Sequence, residues 1–159
     1  MLEALEILSD LLNRFGFTLA NYHSNIQEAL IPHLKSQRLA VRKRAITALS
    51  YLTMCCSQQL YNVIVNELLK ELANNSIDVS TARTYIQCIA AISRQAGHRF
   101  GEHLEHVIPN VVKYAHNEDD ELKEYCIQAF ESFIRRCPKE ISVYVPEVRL
   151  KGIKMQINI

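Results

Sequence analysis

The sequence predicts an all-α fold, a solenoid of stacked antiparallel helix pairs, from three observations. Basic residues recur at equivalent places, Arg42, Arg83 and Lys123, which are 41 and 40 residues apart. Prolines that follow Ile recur on the same period, because Pro32 and Pro109 are separated by 77 residues, about two periods. The chain of 159 residues is 48% hydrophobic with only four Gly and four Pro, too apolar for disorder and too poor in turn residues for an all-β domain. A fixed period of this length is typical of helical repeats.

The first elements of the chain are predicted from apolar stripes and from residues that start or stop helices. A helix over about residues 2–14 has Leu every three or four positions on one face. Gly16 is expected to stop it in the left-handed conformation. Ser24 then starts the next helix, because Gln27 follows three residues later in the pattern of a capping box. Pro32 is expected inside this helix, where it should produce a kink.

The middle of the chain contains the remaining half of the first copy and the whole second copy. A helix is predicted over about residues 39–55, with Ala45, Ala48, Leu49 and Leu52 facing inward. The second copy has helices near 59–73 and 79–95, and Gly97 closes it.

The third copy has helices near 101–116 and 119–136. The second of these begins among acidic residues and ends in Arg135-Arg136, which suits the helix dipole, and Cys137-Pro138 then forces a stop. A last helix is predicted to begin near Glu140 and to carry Pro146.

The domain organisation follows from these copies. The chain opens on a helix that resembles the second member of a pair and closes on one that resembles a first member, which indicates part of a longer array or a truncated product. The solenoid is predicted to span residues 1–149, with repeats at about 22–57, 58–97 and 101–137, partial repeats at 1–16 and 138–149, and a divergent tail at 150–159.

Charge and cysteine usage narrow the function classes. A formal net charge of +1 gives no field that would attract nucleic acid or membrane. No apolar run approaches the ~18 residues that a membrane span needs. Five cysteines without a C-x-x-C pattern fit free buried thiols in a reducing compartment.

Three clusters contain side chains that could carry chemistry, but no catalytic, cofactor or metal residue is predicted. His98, His103 and His106 lack the further ligands that a metal would need, so solvated surface histidines are expected. Cys56 has no base at a recognisable offset, so a buried structural thiol is expected. The acidic run 118–121 lacks the ligand alternation of a calcium loop, so helix capping suffices.

Partner contacts are predicted on the second helix of each pair, where solenoids of this kind usually bind. The basic segment 38–44 favours a partner carboxylate surface or pairing within the array over nucleic acid, since no aromatic residues are interleaved. Tyr85 and Tyr125 lie one period apart beside the repeated basic residues, and they either anchor a partner or pack between repeats. The candidate contacts are Arg42, Lys43, Arg83, Tyr85, Lys123 and Tyr125.

The chain also resembles a known family. The Ile-Pro pairs followed by Val41-Arg42-Lys43-Arg44-Ala45 resemble the HEAT repeat, within the armadillo-like class of solenoids. Over about residues 4–140 the chain is similar to the cullin-associated, neddylation-dissociated (CAND) family, also called the TATA-binding-protein-interacting family. The stretches that carry this resemblance are 39–44, 83–99, 119–133 and 135–140. After Val145 the sequence no longer follows the family.

The resemblance implies a function that is not enzymatic. Family members are helical solenoids that wrap an unneddylated cullin with its RING-box protein, hide the modified lysine and compete with the substrate adaptor. They thereby regulate the assembly and substrate-receptor exchange of cullin–RING ubiquitin ligases in the cytoplasm and nucleus. The older name adds TATA-binding protein as a partner. The alternatives are a generic HEAT-repeat adaptor, such as part of a transport receptor, and a truncated product with little activity of its own.

Overall fold

The computed structural model describes residues 1–144, and these form an all-α array of helix pairs. Short 3₁₀ segments join several of the helices, at Gly16–Tyr22, Ile31–Lys35 and Gly97–His103. The α-helices are α1 (Leu2–Phe15), α2 (His23–Leu30), α3 (Leu39–Cys55), α4 (Gln58–Ala73), α5 (Val79–Ala96), α6 (Leu104–Ala115), α7 (Asp120–Arg136) and α8 (Pro138–Ile141).

The helices pack in two layers. One layer is formed by α1, α3, α5 and α7, each lying against the next, and we call it the second-helix layer. The other contains α2, α4 and α6, and each of these packs on the helix that follows it in the chain. The predicted all-α solenoid of helix pairs is confirmed, and residues 1–144 contain the three complete pairs α2–α3, α4–α5 and α6–α7.

The core follows the repeat period. Ala45, Ile86 and Cys126 occupy equivalent places on α3, α5 and α7, and all three are completely buried. Small side chains here let neighbouring helices approach closely, and between α5 and α7 the hydroxyl oxygens of Ser93 and Ser132 lie 2.5 Å apart. The predicted inward positions Ala48, Leu49 and Leu52 are also buried, and so are the residues at equivalent or neighbouring places in the later copies, namely Ile89, Ala90, Ala129, Phe130 and Phe133.

The prediction that Gly16 stops α1 in a left-handed conformation is wrong. Gly16 has φ −51° and ψ −43°, which is right-handed, and the chain continues into a 3₁₀ helix. A Cβ atom at this position would lie 2.5 Å from the Sγ of Cys55. Glycine is therefore required for close packing on α3, not for a turn.

The predicted start of α2 is also wrong. The helix begins at His23 with no side-chain cap, and the Nε2 of His23 lies 2.8 Å from the carbonyl oxygen of Gly16. Gln27 does not close a capping box but donates a hydrogen bond of 3.0 Å to Glu67 of the next pair. Instead of a kinked helix through Pro32, the α-helix ends at Leu30 and a 3₁₀ turn follows, because Pro32 has no backbone N–H to continue the α-helical hydrogen bonds and its ring crowds the preceding turn.

The ends of the longer helices follow the predictions more closely. Asp78 caps α5 by accepting a hydrogen bond of 3.0 Å from the backbone of Thr81, and Gly97 closes the helix with φ +56°. Asp119 caps α7 in the same way, through Leu122 at 2.7 Å. The start of α6 was predicted too early, since the helix begins after the 3₁₀ segment Gly97–His103.

The last described helix, α8, is short and begins at Pro138, where proline is tolerated because the first turn needs no backbone donor. Pro146, the remainder of the predicted partial repeat and the tail 150–159 lie outside the described residues.

Arg99 joins the second and third pairs to the end of the first. Its guanidinium donates hydrogen bonds to the carbonyl oxygens of Thr53 and Cys56, each at 3.1 Å, and to Gln58 Oε1 at 2.7 Å. The same group lies 4.2 Å from the centre of the buried Tyr61 ring. One charged group thus satisfies carbonyls at the C-terminal end of α3, where positive charge is favourable.

Candidate partner-binding surface

The second-helix layer carries a groove of about 330 Å³ across α3, α5 and α7. Lys43 and Tyr125, both predicted contacts, line this groove. Its other lining residues combine an apolar floor with polar side chains: Ile46, Thr47, Gln87, Ala90, Arg94 and Gln128. The groove therefore offers apolar contact, amides and cations to one partner segment.

A second cavity of about 240 Å³ continues from this groove between α5 and α7, and the two share Arg94 and Gln128. We call it the arginine cleft, and it is lined by Arg94, Gln128, Glu131, Ser132, Arg135 and Arg136. Burial lowers the pKa of Arg94, and the positive charge of Arg136 lowers it further.

Arg83, predicted to contact a partner, is instead engaged within the array. Its guanidinium makes a two-pronged ion pair with Asp119, with Nε 3.0 Å from Oδ1, and a second ion pair of 2.5 Å with Glu121. The hydrogen bond from Arg83 holds the pKa of Asp119 below its usual value. These contacts tie α5 to the first turn of α7.

The two residues equivalent to Arg83 are also engaged. Arg42 donates a hydrogen bond of 2.8 Å to the carbonyl oxygen of Ser36 and shares a cavity of about 250 Å³ with Asp78. Lys123 pairs with Asp120, one turn away on α7, at 2.6 Å. Of the two interpretations of the basic residues, pairing within the array therefore fits Arg42, Arg83 and Lys123.

The two repeated tyrosines differ in their surroundings. Tyr85 is 1% exposed, so its ring packs between repeats and presents no surface to a partner. Tyr125 is half-buried, and its hydroxyl donates a hydrogen bond of 2.9 Å to Glu121 while the ring lines the groove. The burial of Tyr85 fits the interpretation that it packs between repeats, whereas one side of Tyr125 stays exposed in the groove.

Sequence reasoning missed the arginines of the cleft. No basic residue recurs at the place of Arg94 in the other copies, so the repeat period did not mark it as a candidate contact. Arg135 and Arg136 were assigned to the helix dipole alone. A signal was available, because Arg94 and Arg136 both lie at the C-terminal ends of adjacent second helices, where the solenoid places them side by side.

The histidines are not all solvated as predicted. His103 is buried, its Nε2 lies 3.1 Å from Oδ1 of Asn62, and its ring meets Tyr61 edge-on at 5.3 Å. Burial lowers its pKa, so the neutral ring is favoured. His98 and His106 are exposed. Within residues 1–144 no group of three or more His, Cys, Asp or Glu side chains is arranged to hold a metal ion.

The five cysteines are buried and free, as predicted. Burial raises the pKa of the Cys56 thiol to about 11, so it is not a thiolate at neutral pH. Cys55 lies 3.7 Å from Nε2 of His23, yet burial raises the pKa of this thiol as well. An uncharged thiol is a poor nucleophile, and these side chains serve packing.

Comparison with known proteins decides the family. A protein-family model described as "Stalled ribosome sensor GCN1-like, HEAT repeats" matches residues 2–151. The chain belongs to this HEAT-repeat family. Such a scaffold family is not enzymatic, and the chain is not an enzyme.

Several relatives of this HEAT-repeat chain are named for the CAND family, which its sequence resembles. It is 46% identical over 149 residues to "Cullin-associated NEDD8-dissociated protein 2" of Mus musculus, and 46% identical over 147 residues to "Cullin-associated NEDD8-dissociated protein 1" of Drosophila melanogaster. Each alignment covers 92% of the chain but only 12% of the relative. The resemblance to the N-terminal HEAT region of this family is confirmed.

A solved structure supports the HEAT-repeat fold alone. The crystal structure of an engineered protein from a structural genomics consortium superposes with a TM-score of 0.51 at 18% identity, covering 91% of this chain and 60% of that one. Among residues 1–144, no helix combines the length and the apolar character required to cross a membrane.

Proposed function

We propose that this chain is a cullin-binding scaffold that contacts an unneddylated cullin with its RING-box protein through the second-helix layer. The observation that carries the proposal is the 46% identity over 92% of the chain to proteins named for cullin association. Identity at this level extends over the helices that form the groove, so a shared binding surface is the economical explanation.

The groove supports this role physically. Partner-binding surfaces combine a few aromatic and arginine anchors with a polar rim, and Tyr125, Arg94 and Lys43 provide those groups on one layer. The floor is apolar at Ile46 and Ala90, so a partner segment would bury apolar surface while its carboxylates meet the cations.

Within the longer array, the chain would form the part of the solenoid that contacts the cullin near its RING-box protein. The family resemblance implies this position for the N-terminal repeats, and the chain spans 12% of the length of the relatives it matches. Control of ligase assembly and receptor exchange belongs to the whole protein and is proposed here only through this contact. Family membership makes the cytoplasm and nucleus the expected location and TATA-binding protein a further candidate partner.

A generic HEAT-repeat adaptor is the second candidate, because the family model that matches is named for a ribosome sensor and not for a cullin regulator. It would use the same groove for a different protein, such as a ribosome-associated or transport factor. The relatives favour the cullin, since their similarity is specific in sequence whereas a repeat model describes an architecture.

The test is direct binding of the 159-residue chain to an immobilised cullin–RING-box complex. We expect retention on the unneddylated complex and weaker retention on the neddylated one, which serves as the matched control. The cullin proposal would be rejected if the chain bound no cullin complex. Co-sedimentation with ribosomes or capture by a transport GTPase would then support the generic adaptor.

A further inference from the structure

We infer that the arginine cleft binds carboxylate side chains from an acidic segment of a protein partner. The inference rests on the proposed function, because it assigns a partner chemistry to one end of the proposed binding layer. The cleft lies between the C-terminal halves of α5 and α7 and is open to solvent.

The charges of the cleft are uncompensated. Arg94, Arg135 and Arg136 face a single acidic residue, Glu131. Within residues 1–144 none of the three arginines makes an ion pair within 4.0 Å or donates a side-chain hydrogen bond. Three guanidinium groups therefore present donors that no protein oxygen in the described chain accepts.

Some other cations of the chain have an acidic partner on a neighbouring element. Lys35 lies 2.9 Å from Glu71, and Arg44 lies 3.2 Å from Glu6. Even Arg83, on the same helix as Arg94, has two carboxylate partners. No such acidic partner lies within 4.0 Å of the three arginines of the cleft in residues 1–144, so the cleft gathers three unpaired positive charges at one place.

Like charges held together are relieved by an anion that bridges them. Desolvation and the nearby positive charge of Arg136 both lower the pKa of Arg94, so a carboxylate bound beside it would stabilise the charged guanidinium. A guanidinium group donates two parallel hydrogen bonds to a carboxylate, and Gln128 and Ser132 add neutral donors beside the arginines.

Carboxylates fit better than a nucleic-acid backbone. The whole chain has a formal net charge of +1, and Glu131 in the cleft and the exposed Glu124 nearby would repel a long polyanion. Tyr125 is the single aromatic residue lining the adjoining groove, whereas proteins usually hold single-stranded nucleic acid with several aromatic side chains on which the bases stack. A short acidic protein segment meets the cations without passing along the acidic residues.

The first experiment measures affinity for the cullin–RING-box complex with Arg94→Glu and Arg136→Glu, singly and together. Each single change is expected to weaken binding at least about tenfold, mainly through faster dissociation. Lys70→Glu is the matched control, since it makes the same charge change at an exposed position on α4 in the other layer, and it should bind like the wild type. Equal binding by the double variant and the wild type would overturn the inference while leaving the cullin proposal intact.

A second measurement does not depend on the cullin. The chain is titrated with a decapeptide of alternating Glu and Ala, and the guanidinium NMR signals of Arg94 and Arg136 are followed. We expect these signals to shift with this peptide, not with its Gln–Ala counterpart, and not in the double variant. No shift with the acidic peptide, or tighter binding of a ten-residue oligothymidylate than of the peptide, would reject the acidic-segment inference even if the chain binds a cullin.

Discussion

Arg83 and Arg94 lie on the same helix, three turns apart, and the array uses them for different purposes. Arg83 holds a position that is basic in every copy, and it is neutralised by Asp119 and Glu121 of the next second helix. Arg94 has Thr53 and Ile134 at the equivalent places one period away, and within residues 1–144 it has no acidic partner within 4.0 Å. Arg83 therefore connects neighbouring second helices, whereas the charge of Arg94 is left unpaired among the described residues.

Arg99 extends the comparison to a more completely engaged arginine, and its removal should have the largest effect on stability. Arg99→Ala loses three charged hydrogen bonds and the contact with Tyr61, so we expect the free energy of unfolding to fall by about 3 kcal/mol. Urea unfolding followed by circular dichroism measures this. Arg99→Lys keeps the charge but loses the fork, and it should recover part of the loss; a loss below about 1 kcal/mol for Arg99→Ala would show that the contacts are replaced by water.

The next prediction addresses Arg83 and Arg94 directly. Arg83→Ala should lower the free energy of unfolding by about 1 kcal/mol, the upper range for an exposed ion pair, because two carboxylates lose their partner. Arg94→Ala should change it by less than about 0.5 kcal/mol. The same urea experiment measures both variants. Equal losses would remove the distinction between an arginine that supports the array and one that is free to bind.

The sequence predicted the fold well where a local signal and the tertiary contact agree. The acidic run 118–121 was expected to cap a helix, and Asp119 within it caps α7. The prediction for Gly16 failed because a glycine after an apolar stripe usually marks a turn. Its actual role is close contact with Cys55, 39 residues away. The predicted capping box at Gln27 failed for the same reason, since the hydrogen-bond partner of Gln27 is Glu67 of the next helix pair. Contacts one period away are invisible to a local rule.

The candidate surface was predictable only in part. Lys43 and Tyr125 were chosen from their place on second helices, and both line the groove. Tyr85 holds the same position in the repeat as Tyr125 but lies in the middle pair, covered by helices on both sides, and is 1% exposed. Burial of an equivalent residue depends on its neighbours in the stack, which the period alone does not specify.

The smallest predicted effect is a pH dependence that separates Arg83 from Arg94. Because Arg83 holds the pKa of Asp119 below its unfolded value near 3.8, this pair contributes to stability above that value, and the contribution disappears as the pH falls through the lower folded-state pKa. The stability difference between the wild type and Arg83→Ala should therefore be constant from pH 7 to about 5 and decrease below about 4. Arg94→Ala, which removes no carboxylate partner, should follow the wild-type pH profile throughout. Urea unfolding at a series of pH values measures both differences, and a gap for Arg83→Ala that persists undiminished at low pH would mean that Arg83 acts through packing of its aliphatic stem and not through the carboxylate.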